Sequence, residues 1–374
     1  MVTESLKSPV MSGRVVFAKA EGCEEASKLR IPEVNDIVSR FGVISPNRIA
    51  IHDYPLSHPL AAFNAGVIYD HKDEVLELYA RIILGYYLYV SSIIRTEVPL
   101  DDLFNRFVDI NSYVGEVVVY PSTKYDIWGA EDPRVYRVDG KLHMTYTGRS
   151  INYFSSIREN RTLPVTAVYD DVLKAWVKRY VFILSEKKFG KIVSNKDSFI
   201  HRTRDGRVFV FHRPHLITDT IHLVASEIDE KKLINHGIHL REIEIDNAVE
   251  IIEKAPFEGK LGWATPITNR HKDRLIVLIH AVDKDFVVYR VFAAELQLSK
   301  EGVIVEAVTP RYIMEPRRTY EKIGDRPLTI FPCGAANVGR DEVVITYGAA
   351  DSMIGLGIVS LSNLLGELDK GRIY

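Results

Sequence analysis

Two carboxylates stand side by side at Glu131 and Asp132, followed by Pro133 and Arg134, at the start of a stretch that otherwise reads as β-strand, GAEDPRVYRV. Acidic residues are poor strand formers and proline removes a ladder donor, so packing alone does not account for the group. Carboxyls at a strand end can give or take protons, and Arg134 is placed to hold one of them in a fork-like pair while the other stays free for chemistry. Pro133 biases Asp132 toward an extended backbone, which would fix where its side chain points. Polar and charged residues mark other strand ends in the same way: Asn64, Arg81, Arg149, Lys196, Arg213, His280 and Asp351.

The elements that carry these residues repeat. NAGVIYDHKDEVLELYAR, DPRVYRVDGKLHMTYTGR, KDSFIHRTRDGRVFVFHR, WATPITNRHKDRLIVLIH and GAANVGRDEVVITYGAAD each read as strand, polar turn, strand. Asp139-Gly140 and Asp205-Gly206 supply the positive φ that tight hairpins demand. Successive segments start 68, 64, 67 and 71 residues apart, room for a hairpin plus two further strands. That is the content of a four-stranded propeller blade, and five recurrences predict an all-β, five-bladed β-propeller. A Trp-Asp signature at 40-residue spacing is absent, and no helical pattern follows each strand as a parallel α/β fold requires.

The N-terminal 45 residues read as an extension with a short helix near Pro32 to Phe41, and residues 46–374 as the propeller. An N-terminal strand, RVVFAKA or NRIAIHD, is expected to complete the fifth blade beside Gly355 to Ser360. The helix is a candidate for self-association, giving a homo-oligomer, or for covering a blade edge. The run from Ile82 to Ile94 is too short to cross a bilayer and reads as buried strand.

In a propeller the same edge of every blade faces one rim. Asn64, Arg81, Asp132, Arg149, Lys196, Arg213, His280 and Asp351 should therefore surround one mouth of the channel, where a ligand enters. Taken singly, the Glu131–Arg134 group reads equally well as a salt-bridge cluster between blades, and His280 as a packed histidine; their convergence favours a site. His212 should face away from Arg213. Met144, Trp128 and Trp263 are candidates for a sugar subsite, although packing is the commoner fate of such residues.

The formal charge is -2, with 48 basic and 50 acidic residues interspersed, which leaves no electrostatic footprint for nucleic acid or an anionic membrane. Two distant cysteines, Cys23 and Cys333, suggest neither a disulfide framework nor a metal site, and with no apolar leader at the start they favour a reducing, cytoplasmic setting.

In AAFNAGVI, GAEDPRV with MTYTG, VFHRP, IHAV, EPRRTYEKIGDRPLTIFPCGA and YGAAD, spread from about residue 60 to 360, the chain resembles glycoside hydrolase family 130, the beta-mannoside phosphorylases and related mannosidases, which are five-bladed propellers. The resemblance implies that Asp132 is the general acid that protonates the glycosidic oxygen, that Lys196, Arg213 and His280 bind inorganic phosphate, and that Asn64, Arg81, Glu131, Arg134, Arg149 and Asp351 line the sugar subsites. It implies an oligosaccharide and phosphate as co-substrates with no cofactor, and His71, His201 and His271, in turns or mid-hairpin at inconsistent positions, suggest no metal site. Phosphorolysis needs an acid and gathered cations, because phosphate arrives already anionic. An inverting hydrolase needs instead a second carboxylate some 6.5–9.5 Å from the acid to activate water. The expected reaction is inverting transfer of mannose from a beta-mannoside to phosphate, releasing alpha-mannose 1-phosphate. The alternatives are an inverting beta-mannosidase using Glu131, Glu315 or Glu321 as base, a sugar-binding propeller without catalysis, and a furanoside-directed glycosidase with three separated carboxylates.

Overall fold

The computed structural model describes residues 17–233, 239–267, 273–300 and 302–374. Short runs rich in valine, isoleucine and aromatic residues, separated by Asp- and Gly-containing turns, pair locally into antiparallel ladders, and the ladders assemble into five sheets. Each sheet is a blade built on one of the five expected hairpins. Blade one runs outward through Ala61–Asp70, Val75–Ile83, Ser91–Pro99 and Tyr113–Val119. Blade two runs through Ala130–Val138, Lys141–Arg149, Thr162–Asp170 and Ala175–Leu184, and blade three through Ile192–Arg202, Val208–Leu216, Leu223–Ile228 and Val249–Ile252. Blade four comprises Glu258–Ile267, Arg274–Asp283, Tyr289–Ser299 and Gly302–Val308; blade five comprises Ile330–Asn337, Glu342–Ala349, Met353–Ser360 and Ser39–Ile44. The first strands of neighbouring blades pack together around the axis, making a five-bladed β-propeller.

Apolar side chains fill the wedges between blades. Trp263 of blade four stands edge-on to Phe199 and Phe211 of blade three, and the indole N–H donates to the carbonyls of His212 and Val224. Three outer edges receive an extra parallel strand: Ile49–Ile51 on blade one, Arg241–Ile245 on blade two and Ala18–Lys19 on blade three. Pairing these edges removes open ladders that would otherwise invite association.

The ring closes through an N-terminal strand, as expected, but through Ser39–Ile44. It pairs antiparallel with the blade-five strand from Ser39↔Ile358 to Ile44↔Ile354. Of the two stretches proposed, NRIAIHD forms the edge strand of blade one; the described part of RVVFAKA lies on blade three. The helix expected over Pro32 to Phe41 is not formed; the chain is helical at Cys23–Leu29 instead. Ser39–Ile44 alternates exposed and inward positions, the two-residue period of a strand, and its inward Arg40 is held by ion pairs where helical periodicity would have required an apolar contact. Residues 39–44, assigned from sequence to the extension, are thus blade. Ile82 to Ile94 is likewise not one strand. Val75–Ile83 ends, residues 84–90 turn at the surface with Tyr86 67 % and Tyr87 88 % exposed, and Ser91–Pro99 begins. Aromatic residues raised the strand signal there, but Leu88 and Tyr89 take positive φ and turn the chain.

Candidate active site

At the axis every first strand is interrupted. A β-bulge falls between Phe63 and Gly66, Glu131 and Arg134, Lys196 and Phe199, Trp263 and Thr265, and Pro332 and Gly334. Bulges re-aim side chains, and in blades one to three the bulged residue is in the left-handed region: Asn64 at φ 50, Asp132 at 51 and Asp197 at 52. Asn and Asp tolerate this conformation better than other side chains. The extended backbone expected for Asp132 is therefore replaced by a left-handed one, and the bulge rather than Pro133 sets its direction.

The bulges and the ends of the second strands enclose a cavity of about 490 Å³, within the range of small-molecule sites. Its lining includes Asn64, Arg81, Glu131, Asp132, Arg149, Lys196, Arg213, His280 and Asp351, so nine of the ten residues singled out from sequence meet there. Arg134 is the exception. It is 1 % exposed and spends its guanidinium on the backbone carbonyls of Asp132, Trp263 and Ala264. Its fork does not hold a carboxylate of the Glu131-Asp132 pair; it ties blade two to blade four from behind the site.

Arg81 and Arg149 do what Arg134 was expected to do. Arg149 Nε donates to Glu131 Oε1 at 2.6 Å, Arg81 lies 3.2 Å from the same oxygen, and the Tyr153 hydroxyl donates to it at 2.7 Å. Burial pushes the Glu131 carboxyl up, but Arg149 and Arg81 overcome it and hold the group at about 2. Asp132 is bound differently. Asn64 Nδ2 at 2.7 Å and Arg81 Nη1 at 3.1 Å both donate to Oδ1, so the hydrogen bonds from protein orient this carboxyl by one oxygen. Asn64 itself fits because residue 348 is glycine; a Cβ there would overlap Asn64 Oδ1. On blade five, burial pushes the Asp351 carboxyl up to about 6 despite Arg326 and Arg81.

Blades three and four supply the opposite character. Lys196, Arg213, Lys260 and His280 line one stretch of wall. The fully buried carboxylate among them is Asp197, with Arg213 Nε 2.6 Å and His280 Nε2 3.5 Å from Oδ2 and Arg134 3.6 Å from Oδ1. Arg213, Lys196 and Arg134 outweigh its burial and keep it well below the usual carboxylate range. Burial holds His280 well below its ordinary value; the ring packs against Phe331 with centroids 4.4 Å apart. Lys260 is brought down to about 7 by burial and by Arg213, Lys196 and Arg326, and burial with Arg213 lowers Lys196 as well. Gly262 is what lets this wall close, since a Cβ there would lie within 3.0 Å of both His280 Nε2 and Asp197 Oδ2.

Sequence reasoning missed Asp197, Lys260, Tyr153, Asp325 and Arg326. Asp197 had a signal: it follows Lys196 as Asp132 follows Glu131, and it is Asp197, not Lys196, that is structurally equivalent to Asn64 and Asp132 at the bulge. His212 faces away from the cavity, as expected, bonded to Asn195 and Ser226. Trp263 and Met144 are wholly buried in the packing between blades and follow the packing reading, and Trp128 does not line the cavity. Glu315 and Glu321 lie outside the cavity, with Glu321 committed to Arg40, Tyr347 and two backbone amides.

A family model described as beta-1,4-mannooligosaccharide phosphorylase matches residues 28–370. The chain belongs to glycoside hydrolase family 130. Among curated relatives of this family member, the beta-1,2-mannobiose phosphorylase of Thermoanaerobacter sp. (strain X514) is 29 % identical over 312 residues, 80 % of this chain and 90 % of the relative. The 1,2-beta-oligomannan phosphorylase of the same organism is 28 % identical over 250 residues, 66 % and 73 % of the two chains. The fold matches the beta-1,2-mannobiose phosphorylase of Listeria innocua solved with beta-1,2-mannobiose, at TM-score 0.65 and 18 % identity over 89 % of this chain and 99 % of that one. Among the described residues no helix is long and apolar enough to cross a membrane.

Proposed function

We propose that the protein is an inverting phosphorylase of beta-mannosides that transfers a mannosyl unit to inorganic phosphate and releases alpha-mannose 1-phosphate. The observation that carries this reading is the division of one cavity into a carboxyl side, with Asp132 oriented by Asn64 and Arg81, and a wall bearing Lys196, Arg213, Lys260 and His280 whose carboxylate is already neutralised. Asp132 protonates the departing oxygen. The cationic groups hold phosphate in line for attack on the anomeric carbon, which replaces activation of a water by positioning of an anion. His280, kept neutral by burial, acts as a hydrogen-bonding partner rather than as a charge. Arg149, Arg81 and Tyr153 keep Glu131 ionised as an acceptor for sugar hydroxyls. Names and neighbours of the relatives point the same way, with beta-1,2 linkages in the curated relatives and a beta-1,4 linkage in the family description. The free, buried cysteines Cys23 and Cys333 suit a reducing, cytoplasmic setting, and inorganic phosphate is the co-substrate without a further cofactor.

One observation favours hydrolysis as the second reading: Asp351, at about 6, has the proton affinity of a general base. Incubation with beta-1,2- and beta-1,4-mannobiose, with and without phosphate, separates the two. Mannose 1-phosphate formed only in the presence of phosphate is the expected product. Free mannose at equal rates in both would make the protein a hydrolase, and binding without either product would make it a sugar-binding propeller.

A further inference from the structure

The loops between second and third strands of blades one and two crown the cavity on the side of Asp132. Residues 150–161 form a stapled lobe: Arg161 donates to the carbonyls of Asn152, Tyr153, Ser155 and Ile157, and Phe154 N–H donates to Asn152 Oδ1. Tyr153 roots the lobe in the site, with Arg149 stacked 3.6 Å over its ring and its hydroxyl joined to Arg81 and Glu131. The next residue, Phe154, lines the cavity yet is 70 % exposed. Tyr89 from the blade-one loop lines the cavity too, edge-on to Tyr153 with centroids 6.3 Å apart. A large apolar ring held out of the core by a loop with this many internal bonds is a preformed contact surface.

In an in-line displacement the nucleophile and leaving group occupy opposite ends of the reaction axis. With phosphate on the wall of blades three and four, the leaving sugar departs past Asp132, toward Tyr153, Phe154 and Tyr89. We propose that Phe154, with Tyr89, is a stacking platform for acceptor sugars beyond the first, so that the protein selects oligomannosides over the disaccharide. This rests on the phosphorolytic reading for the direction of departure. The C–H groups on one face of a mannose ring carry partial positive charge and complement the negative face of an aromatic ring. The two curated relatives differ in this respect by name, one a mannobiose and the other an oligomannan phosphorylase.

The test is equilibrium binding of beta-1,2-mannobiose, -triose and -tetraose in phosphate-free buffer, where phosphorolysis cannot run, for the wild type, Phe154→Ala, Phe154→Trp and Tyr89→Ala. Wild-type affinity should rise from two units to four. Phe154→Ala should shrink that gain by about five- to tenfold, the worth of one stacked ring, and Phe154→Trp should restore it. A wild-type affinity that does not change with length overturns the platform, as does a Phe154→Ala loss that is equal for two units and four. Formation of mannose 1-phosphate by the wild type is read in parallel, so that failure of the reaction and failure of the platform are told apart.

Discussion

Gly262→Ala is a one-carbon change at a residue outside the cavity lining, and on the proposed reading it should cripple phosphate use. The added Cβ would lie within 3.0 Å of His280 Nε2 and Asp197 Oδ2, whereas ordinary contacts begin at 3.4 Å. Neither neighbour has slack. The His280 ring is backed by Phe331 and Tyr289, and Asp197 is fully buried and held by Arg213 Nε at 2.6 Å. A retreat of roughly 1 Å must therefore pass to Arg213 and His280 together, and misplacement on that scale of positioned groups is worth about 10²-fold in rate. Overpacking should also cost about 1–3 kcal/mol of stability. The assay is the initial rate of mannose 1-phosphate formation against phosphate concentration, beside a thermal melt. We expect kcat/KM for phosphate to fall by about 10²-fold, chiefly through KM, with oligosaccharide affinity much less affected. The matched control is Gly366→Ala in the helix Leu361–Asp369, where a Cβ meets nothing within 4 Å, and where it should add about 0.5–1 kcal/mol of stability. A Gly262→Ala protein that melts earlier but keeps its phosphate KM within about twofold would show that this wall does not bind phosphate.

Asp132→Asn should lower kcat about 10²- to 10⁴-fold while leaving sugar binding intact, and the loss should shrink with a nitrophenyl leaving group that needs little protonation; equal losses on both substrates would remove Asp132 from the acid role. Lys260 sits at about 7, so kcat/KM for phosphate should decline as pH rises through 7 and the amine loses its proton; Lys260→Arg stays charged and should move that decline to higher pH, whereas superimposable profiles would contradict the assignment. Glu131 is held at about 2, below its ordinary 4.5, so its contribution is complete above 4.5 and disappears as pH falls toward 2. It amounts to roughly 3 kcal/mol, which Glu131→Gln should lack at pH 7, and the gap between the two proteins in thermal melts should close by about pH 2; a gap independent of pH would refute the pairing argument.

The blade count and the rim were legible because they rest on periods. A hairpin every 64 to 71 residues leaves a trace in Asp139-Gly140, Asp205-Gly206 and the charged strand ends, and strand ends share a rim by topology alone. What the sequence hid is local and three-dimensional. Arg134 looks like the natural partner of its acidic neighbours, yet the bulge turns Asp132 inward and leaves Arg134 facing the backbone of blade four, 130 residues away. Lys260 lies outside the repeat as aligned from Trp263, because blade four places its bulge between Trp263 and Thr265 and its contributing cation two residues before Gly262. The closing strand was missed for a related reason: Arg40 reads as a surface residue and is buried only because Asp36 and Glu321 meet it.

The carboxyls of the cavity are sorted by their neighbours, and the sorting bears on which nucleophile the site can use. Glu131 is drained of basicity by two arginines, which suits a hydrogen-bond acceptor and not a base. Asp132, oriented by one oxygen, stands on the proposed reading where the leaving group departs. A hydrolase would need its base at the opposite end, on blades three and four. The buried carboxylate against the Lys196, Arg213 and His280 wall is Asp197, and Arg213, Lys196 and Arg134 hold it well below the usual range, which unsuits it to take a proton from water near neutral pH. Asp351 has the proton affinity but belongs to blade five, whose Gly348 meets Asn64 of blade one, and not to the wall of blades three and four. The end of the axis that a hydrolase would give to a base is occupied by cations, and an anion such as phosphate is the nucleophile that such an end can orient.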